Sequence, residues 1–186
     1  MNKVETTISS YTDEMGNKVE SQVTTISKAH SRIILVGRAA SGKDFMRMTL
    51  EKRGKVYGVS YTTRPPRIGE VDGVDYYFLT EEKFKEMIEN DEWYEYVPFN
   101  GWYYGTSKDQ FYRDDIFIMT PEGISLMKPE DRENSFIIFL DIPQDIRRER
   151  LKLRSDADKV ERRIEADNRD FADFTTYDIK ITDPDF

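Results

Sequence analysis

A glycine-containing loop between a predicted strand and a predicted helix constrains this chain more than any other feature. The loop reads GRAASGKD and follows the apolar run Arg32–Val36. Its spacing, G-x-x-x-x-G-K, lets backbone N–H groups curl around phosphate oxygens, and a helix beginning near Lys43 adds the positive end of its dipole. We therefore predict a phosphate loop made of Gly37, Arg38, Ala39, Ala40, Ser41, Gly42, Lys43 and Asp44.

Asp44 departs from the usual form of this motif. Ser or Thr normally follows the lysine, and its hydroxyl group binds Mg²⁺. A carboxylate is also a hard oxygen ligand that suits Mg²⁺, directly or through water. We therefore expect Asp44 to position the metal ion, although a purely structural glycine turn is the alternative that the loop alone leaves open.

The composition narrows the chemistry that can accompany such a loop. The chain has 186 residues, a formal net charge of -8 at pH 7, no cysteine and one histidine, His30. Disulfides, Cys-ligated zinc, thiol nucleophiles and histidine triads are therefore excluded. A bulk acidic chain repels phosphate polymers, so we expect no nucleic acid polymer as a partner, and any phosphate chemistry must use local clusters of Arg and Lys. No apolar run has the form of a signal peptide or a membrane span, which predicts a cytoplasmic protein without a membrane partner.

Beyond residue 30, predicted strands alternate with predicted helices, which indicates an α/β fold with a parallel sheet and helices on both faces. The predicted strands are 32–36, 55–60, 115–119, 136–140 and 178–182. The predicted helices are 43–53, 121–127, 143–154, 159–171 and one that Thr80 caps. We divide the domain 31–183 into a core, 31–59 and 108–183, an acceptor lobe, 60–107, and a lid at about 152–164.

Residues 1–30 differ from the rest of the chain. The near-repeats VETTIS (4–9) and VTTIS (23–27) lie on either side of Gly16-Asn17. Two β-prone runs about a Gly-Asn turn predict a hairpin arm, and a mobile tail is the alternative. An isolated hairpin is marginally stable, so an ordered arm needs a surface to pack on.

Two segments of the acceptor lobe carry a resemblance to a known family. They read VSYTTRPPRIGEVDGVDYYFLTEEKF (59–84) and NDEWYEYVPFNGWYYGTS (90–107), and they are similar to the nucleotide-monophosphate lobe of guanylate kinases almost without gaps. With the phosphate loop, the resemblance covers about residues 32–183. It implies a P-loop NTPase-type sheet with a small mixed α/β lobe and a short lid. It also implies ATP-dependent phosphorylation of GMP or dGMP, with Mg²⁺ bridging the donor phosphates and Lys43 as a catalytic residue.

The acceptor phosphate has four candidate ligands. Arg64 and Arg67 lie on either side of Pro65-Pro66, and two guanidinium groups at this spacing suit a dianionic phosphate. The resemblance adds the hydroxyl groups of Tyr76 and Tyr104 to this site.

The resemblance also assigns a guanine reader, Glu95. One carboxylate can accept hydrogen bonds from both N1–H and the 2-amino group of guanine, whereas adenine would leave it unpaired. Hydroxyl-bearing residues complete this base site by resemblance: Ser60, Thr106 and Thr120.

The lid arginines of the family correspond to Arg150, Arg154 and Arg163, which the resemblance places near ATP and the transferring phosphoryl group. A charged helix is usually a solvated face, and this is our interpretation of the remaining arginines Arg147, Arg148 and Arg162. Asp141, at the end of a predicted strand, matches no family ligand, and we expect it to cap a helix or to lie behind the ligand-binding residues.

The chain departs from the family at one important place. Two aspartates are expected on the strand where this chain has Ile118 and Thr120, which weakens the case for the metal ion and for guanine. We expect Asp44 to supply the missing charge on the metal side. Two alternatives stay open: a P-loop kinase with another acceptor, such as a different dNMP or ribose bisphosphate, and an inactive guanylate-kinase-like binding module. The sequence is compatible with a monomer or a homodimer.

Overall fold

The computed structural model describes residues 4–12, 18–26, 31–99, 101–153 and 160–186. The chain forms two compact units, Met1–Ser31 and Arg32–Phe186. In the first unit, β1 (Val4–Thr12) and β2 (Lys18–Ile26) pair antiparallel over nine residues each. The predicted Gly16-Asn17 turn lies outside the described residues.

The second unit is built on a four-stranded parallel sheet, which confirms the predicted fold class. Its strands, in sheet order, are β10 (Ile179–Ile181), β9 (Ser135–Leu140), β3 (Arg32–Gly37) and β8 (Ile116–Ile118). Successive side chains of a strand point to opposite faces. Accordingly, Ile34 and Val36 enter one apolar cluster while Leu35 enters another, and all three are fully buried. The central strand is therefore covered on both faces.

The acceptor lobe contains a second, mixed sheet. Its strands, in sheet order, are β5 (Tyr77–Phe78), β4 (Tyr61–Thr62), β7 (Trp102–Ser107) and β6 (Trp93–Phe99). The hairpin of β6 and β7 places Phe99 opposite Trp102, so a two-residue connection fits the predicted Asn100-Gly101 turn; Asn100 itself lies outside the described residues.

Helices of the described residues pack around these sheets. They are α1 (Lys43–Glu51), α2 (Glu81–Glu89), α3 (Lys108–Arg113), α4 (Pro121–Ser125), α5 (Pro129–Glu133), α6 (Gln144–Lys152) and α7 (Val160–Asp170). Thr80 caps α2 as predicted, because its side chain accepts a hydrogen bond from the Lys83 N–H group. In the described part of the chain, no helix combines the length and apolar character that crossing a bilayer requires.

The prediction of a strand at 55–60 is wrong over most of its length. A single parallel bridge joins Tyr57 to Ile116 at the edge of the core sheet. Beyond that bridge the chain has to leave the core sheet, because β4 begins at Tyr61 in the other sheet. Two helices were also missed, α3 and α5, because six and five residues are too few to show a helical period.

Candidate active site

The phosphate loop connects β3 to α1 at the carboxyl end of the central strand. Gly42 is the residue before the helix and has φ 95°, a left-handed conformation that glycine adopts without steric cost. The Lys43 ammonium group donates hydrogen bonds to the carbonyl oxygens of Gly37 at 2.6 Å and Arg38 at 3.1 Å. A cationic group is therefore held against the loop where the first amides of the helix point outward, which is an arrangement that binds phosphate.

Two carboxylates contact the first half of the phosphate loop, at Arg38 and Ala39. Arg38 forms an ion pair with Asp141, and the Ala39 N–H group donates to Oδ2 of Asp167 at 2.9 Å. Asp141 thus contacts a residue of the predicted phosphate loop, and its place behind the ligand-binding residues stays a prediction. Asp167 was not anticipated; its only sequence signal is its position one helical turn after Arg163.

A central cavity of about 500 Å³ extends from the phosphate loop to the acceptor lobe. This volume lies within the range of ligand pockets. Among its lining residues are the predicted site residues Gly37, Ala39, Lys43, Ser60, Arg64, Arg67, Tyr76, Glu95, Tyr104, Thr120 and Arg163. The structure therefore brings together side chains that are separated by more than 100 positions in the sequence.

The two acceptor arginines share a carboxylate that the sequence did not single out, Glu70. Its two oxygens accept hydrogen bonds from both Nη atoms of Arg64 at 2.9 Å, and Oε2 also accepts from the Arg67 N–H group at 2.7 Å. Burial acts to raise the pKa of Glu70, but the hydrogen bonds from Arg64 and Arg67 outweigh it and lower the pKa. An ionised Glu70 thus orients both arginines from one side.

Arg64 is enclosed by its neighbours in the acceptor lobe. Its side chain is buried beside Tyr76, with the guanidinium carbon 5.3 Å from the ring centroid. Among the described residues, no acceptor reaches its buried Nε atom. A buried guanidinium donor without a partner carries a desolvation cost.

Glu95 lines the central cavity on the side of the acceptor lobe and is only 8% exposed. Its Oε1 accepts a hydrogen bond from the Thr106 hydroxyl group at 2.8 Å. Its Oε2 lies against the start of α4, where a Cβ atom added to Gly123 would be 3.0 Å away. Burial raises the pKa of Glu95 to about 7, against the lowering effect of Thr106.

Thr120 and Thr106 differ in their positions relative to the central cavity. The Thr120 hydroxyl oxygen accepts a hydrogen bond from the Gly123 N–H group at 3.0 Å, and Thr120 thereby caps α4 while lining the cavity. Thr106 is buried and lies behind Glu95, where it fixes one oxygen of the carboxylate.

An outer cavity adjoins the other side of the phosphate loop. It is lined by residues that include Ala40, Ser41, Gly42, Asp44 and Arg150. Arg150 donates to the carbonyl oxygens of Ala40 at 3.3 Å and Pro184 at 2.9 Å. Of the predicted lid arginines, Arg163 therefore lines the central cavity, Arg150 lines the outer one, and Arg154 lies outside the described residues.

The interpretation of Arg147 as a solvated residue is wrong. Its side chain is buried, where Nη1 lies 3.1 Å from Oδ2 of Asp167 and Nε donates to the Ile142 carbonyl at 2.9 Å. Arg148, on the same helix, instead pairs with the exposed Glu161 at 2.9 Å. The difference arises because only Arg147 faces a carboxylate in the interior.

A magnesium ion is compatible with this set of residues. Within the described ranges, no group of three or more His, Cys, Asp or Glu side chains could hold a metal ion by itself. Mg²⁺ in kinases is commonly bound by one or two carboxylates together with substrate phosphates. Asp44, in the first turn of α1 and beside the phosphate loop, supplies a carboxylate of this kind.

Comparisons with known proteins agree with this geometry. The family model described as guanylate kinase matches residues 29–186. The guanylate kinase of Carboxydothermus hydrogenoformans is 32% identical over 164 residues, which cover 82% of this chain and 80% of that protein. The guanylate kinase of Aster yellows witches'-broom phytoplasma is 38% identical over 128 residues, which cover 64% of this chain and 61% of that protein.

A match to a solved structure also supports the fold. The crystal structure of guanylate kinase from Anaplasma phagocytophilum matches with a TM-score of 0.66 at 23% identity, covering 85% of this chain and 80% of that one. On the strength of the family match, the chain belongs to the guanylate kinase family and is a nucleoside monophosphate kinase.

Proposed function

We propose that the protein transfers the γ-phosphoryl group of ATP to GMP or dGMP in a Mg²⁺-dependent reaction. The observation that carries the proposal is the central cavity, which joins a phosphate loop at one end to a buried arginine and a buried glutamate at the other. A donor and an acceptor phosphate bound at these places would face each other within one cavity.

The triphosphate of ATP would bind to the phosphate loop. Backbone N–H groups of the phosphate loop other than those of Ala39 and Ser41, together with the Lys43 ammonium group, would contact its oxygens. Asp44 would hold the Mg²⁺ ion, which when bound neutralises charge on the donor phosphates. This arrangement needs no histidine or cysteine, in agreement with the composition.

The acceptor phosphate would bind to Arg64, Arg67, Tyr76 and Tyr104, which all line the central cavity. The pairing of both guanidinium groups with Glu70, at positions that line one cavity, supports this assignment. An acceptor phosphate oxygen is already ionised at neutral pH, so it can attack the γ-phosphorus without a side-chain base. The new O–P bond forms as the bond to the β-phosphate oxygen of ATP breaks, and ADP leaves.

The base of the acceptor would bind beside Glu95, with the hydroxyl groups of Ser60, Thr106 and Thr120 nearby. An ionised carboxylate with one oxygen held by Thr106 suits the paired N–H donors of guanine. Adenine has no N1–H group and would leave a buried carboxylate without its partners, which costs about 1–3 kcal/mol or more.

Arg163 and Arg150 would stabilise charge on the phosphoryl group and on ATP, respectively. Arg163 lines the central cavity, whereas Arg150 approaches the phosphate loop from the outer cavity. We assign Arg154 the same class of role by its match to the family lid. Phosphoryl transfer depends mainly on alignment and charge stabilisation, which positioned arginines provide.

A panel of acceptors tests the proposal against both alternatives. ADP release would be measured with ATP, Mg²⁺ and each ribo- and deoxynucleoside monophosphate or ribose bisphosphate, with Lys43→Ala as the inactive control. We expect GMP and dGMP to be the best acceptors. Preference for another acceptor would support the alternative of a P-loop kinase with a different substrate. The presence of Ile118 and Thr120 in place of two expected aspartates motivates that alternative. Binding of GMP without any turnover would identify an inactive binding module.

A further inference from the structure

Asp167 is a buried carboxylate for which the proposed reaction has no use. It lies on α7, is 7% exposed and lines the same cavity as Lys43. Its Oδ2 accepts a hydrogen bond from the Ala39 N–H group at 2.9 Å and lies 3.1 Å from Nη1 of Arg147 on α6. A single oxygen atom therefore links the phosphate loop, α6 and α7.

The phosphate loop requires such support because of its backbone conformation. Ala40, the residue after the bonded amide, has φ 60°, in the left-handed region that a residue with a Cβ atom rarely occupies. Conformations of this kind persist only where surrounding contacts hold them. Asp167 fixes the N–H group of Ala39 on one side, and the hydrogen bond from Ser41 N–H to the Arg38 carbonyl at 3.2 Å closes the turn on the other.

The charges around Asp167 are balanced from more than one element. Burial raises its pKa, and the Ala39 N–H group, Lys43, Arg147 and Arg38 act in the opposite direction. Two of these cations belong to the phosphate loop and one belongs to α6. The negative charge of Asp167 therefore offsets the mutual repulsion of the positively charged Lys43, Arg147 and Arg38.

Asp167 also links the position of α7 to that of the phosphate loop. Arg163 and Asp167 are four residues apart on α7, so they lie on the same face, and both line the central cavity. A bond from Asp167 to the phosphate loop thus fixes the helix face that carries Arg163. Loss of that bond would release the loop and the arginine together.

We infer that Asp167 is a positioning residue for the ATP half of the site. It holds the phosphate loop in the conformation that binds the triphosphate and keeps Arg163 at the cavity. The part of this inference that concerns catalysis rests on the proposed function. The part that concerns ATP binding does not depend on the identity of the acceptor.

Three variants test the inference. Asp167→Ala removes the acceptor for Ala39, and we expect the KM for ATP to rise about tenfold and kcat to fall by a similar factor, while the KM for GMP changes less than about twofold.

Asp167→Asn retains an oxygen for the Ala39 N–H group but leaves Arg147 without a carboxylate. We expect it to lower folding stability while raising the KM for ATP less than Asp167→Ala does. Glu165→Gln makes the same change of charge at an exposed position of α7 and should alter no constant beyond about twofold.

Binding of Mg²⁺-ATP measured by calorimetry separates this inference from the proposed function. If the wild-type protein binds Mg²⁺-ATP but transfers no phosphoryl group to GMP, the proposed function fails, and the ATP affinities of the variants still decide the role of Asp167. Unchanged ATP affinity in Asp167→Ala would overturn the inference, as would an equal loss of affinity for ATP and GMP, which indicates general structural damage. If Asp167→Ala does not fold, Asp167→Asn and Asp167→Ser replace it, and ATP affinity equal to that of the wild type in both would overturn the inference.

Discussion

Arg64 and Glu70 form a bidentate ion pair in which both Nη–Oε distances are 2.9 Å. Glu70 also accepts a hydrogen bond from the Arg67 N–H group, so it orients both arginines that we assign to the acceptor phosphate. Removing a group of this kind has two opposing effects. The arginines gain net positive charge, but they lose the contact that directs them toward the cavity.

We expect the loss of orientation to dominate in Glu70→Ala. The KM for GMP should rise about tenfold, and the KM for ATP should stay within about twofold, because all three hydrogen bonds to Glu70 come from the two arginines assigned to the acceptor phosphate. Steady-state kinetics with each substrate varied in turn measures both constants. Glu89→Gln, at an exposed position of α2, is the control. A lower KM for GMP would show instead that Glu70 competes with the phosphate.

The burial of Glu95 leads to a pH-dependent acceptor affinity. Because burial raises the pKa of this carboxyl group to about 7, it is mainly protonated at pH 6 and mainly ionised at pH 8. A protonated group offers guanine one acceptor fewer, so kcat/KM for GMP should increase about tenfold from pH 6 to pH 8.

The phosphate of GMP also titrates near pH 6. Glu95→Gln separates the two groups, because it removes the carboxyl titration and leaves that of the substrate. We expect the step near pH 7 to disappear in this variant, measured over the same pH range at saturating ATP. A step of unchanged size in Glu95→Gln would exclude Glu95 as its origin.

The assignment of Asp44 to the metal ion makes a separate prediction. Asp44→Asn removes a charge beside the phosphate loop while keeping the size of the side chain, so the Mg²⁺ concentration for half-maximal activity should rise at least about tenfold. Titration with Mg²⁺ at fixed total ATP measures this shift. Glu51→Gln, at the other end of α1, controls for the loss of one negative charge from the helix. An unchanged Mg²⁺ requirement would mean that the substrate phosphates hold the ion without Asp44.

The features that the sequence indicates most directly are carried by residues that lie close together in the chain. The phosphate loop occupies eight consecutive positions, and the acceptor lobe occupies two nearly continuous segments, so motif and fold could be inferred without long-range information. The strands β3 and β9 were also found, since a continuous apolar run indicates a strand buried on both faces.

Contacts between distant residues could not be predicted in the same way. Ala39 and Asp167 are 128 positions apart, and nothing in the charged pattern of α7 shows that one carboxylate is buried. The interpretation of Arg147 as a solvated residue is wrong for the same reason, because a buried ion pair and an exposed charged helix have similar sequences. Glu70 is close to Arg64 in the chain, but a glutamate beside two arginines does not reveal whether it binds them.

The buried pair of Arg147 and Asp167 should also contribute measurably to stability. Arg147 has a side chain that is 3% exposed, and Arg147→Ala would leave Asp167 without its partner from α6. Removing one member of a buried pair typically costs about 3–5 kcal/mol, and we expect a loss near the lower end because Lys43 also lies close to Asp167. The free energy of unfolding from urea denaturation gives the value.

Arg148→Ala is the matched control for this experiment, because Arg148 neighbours Arg147 on α6 and its pairing with Glu161 is exposed to solvent. Surface ion pairs contribute about 0–1 kcal/mol, so the control should change the free energy of unfolding by less than about 1 kcal/mol. Equal losses in the two variants would indicate that Arg147 acts through the general stability of α6 and not through its carboxylate partner. A large loss confined to Arg147→Ala would support a pair that joins α6 to the helix carrying Arg163.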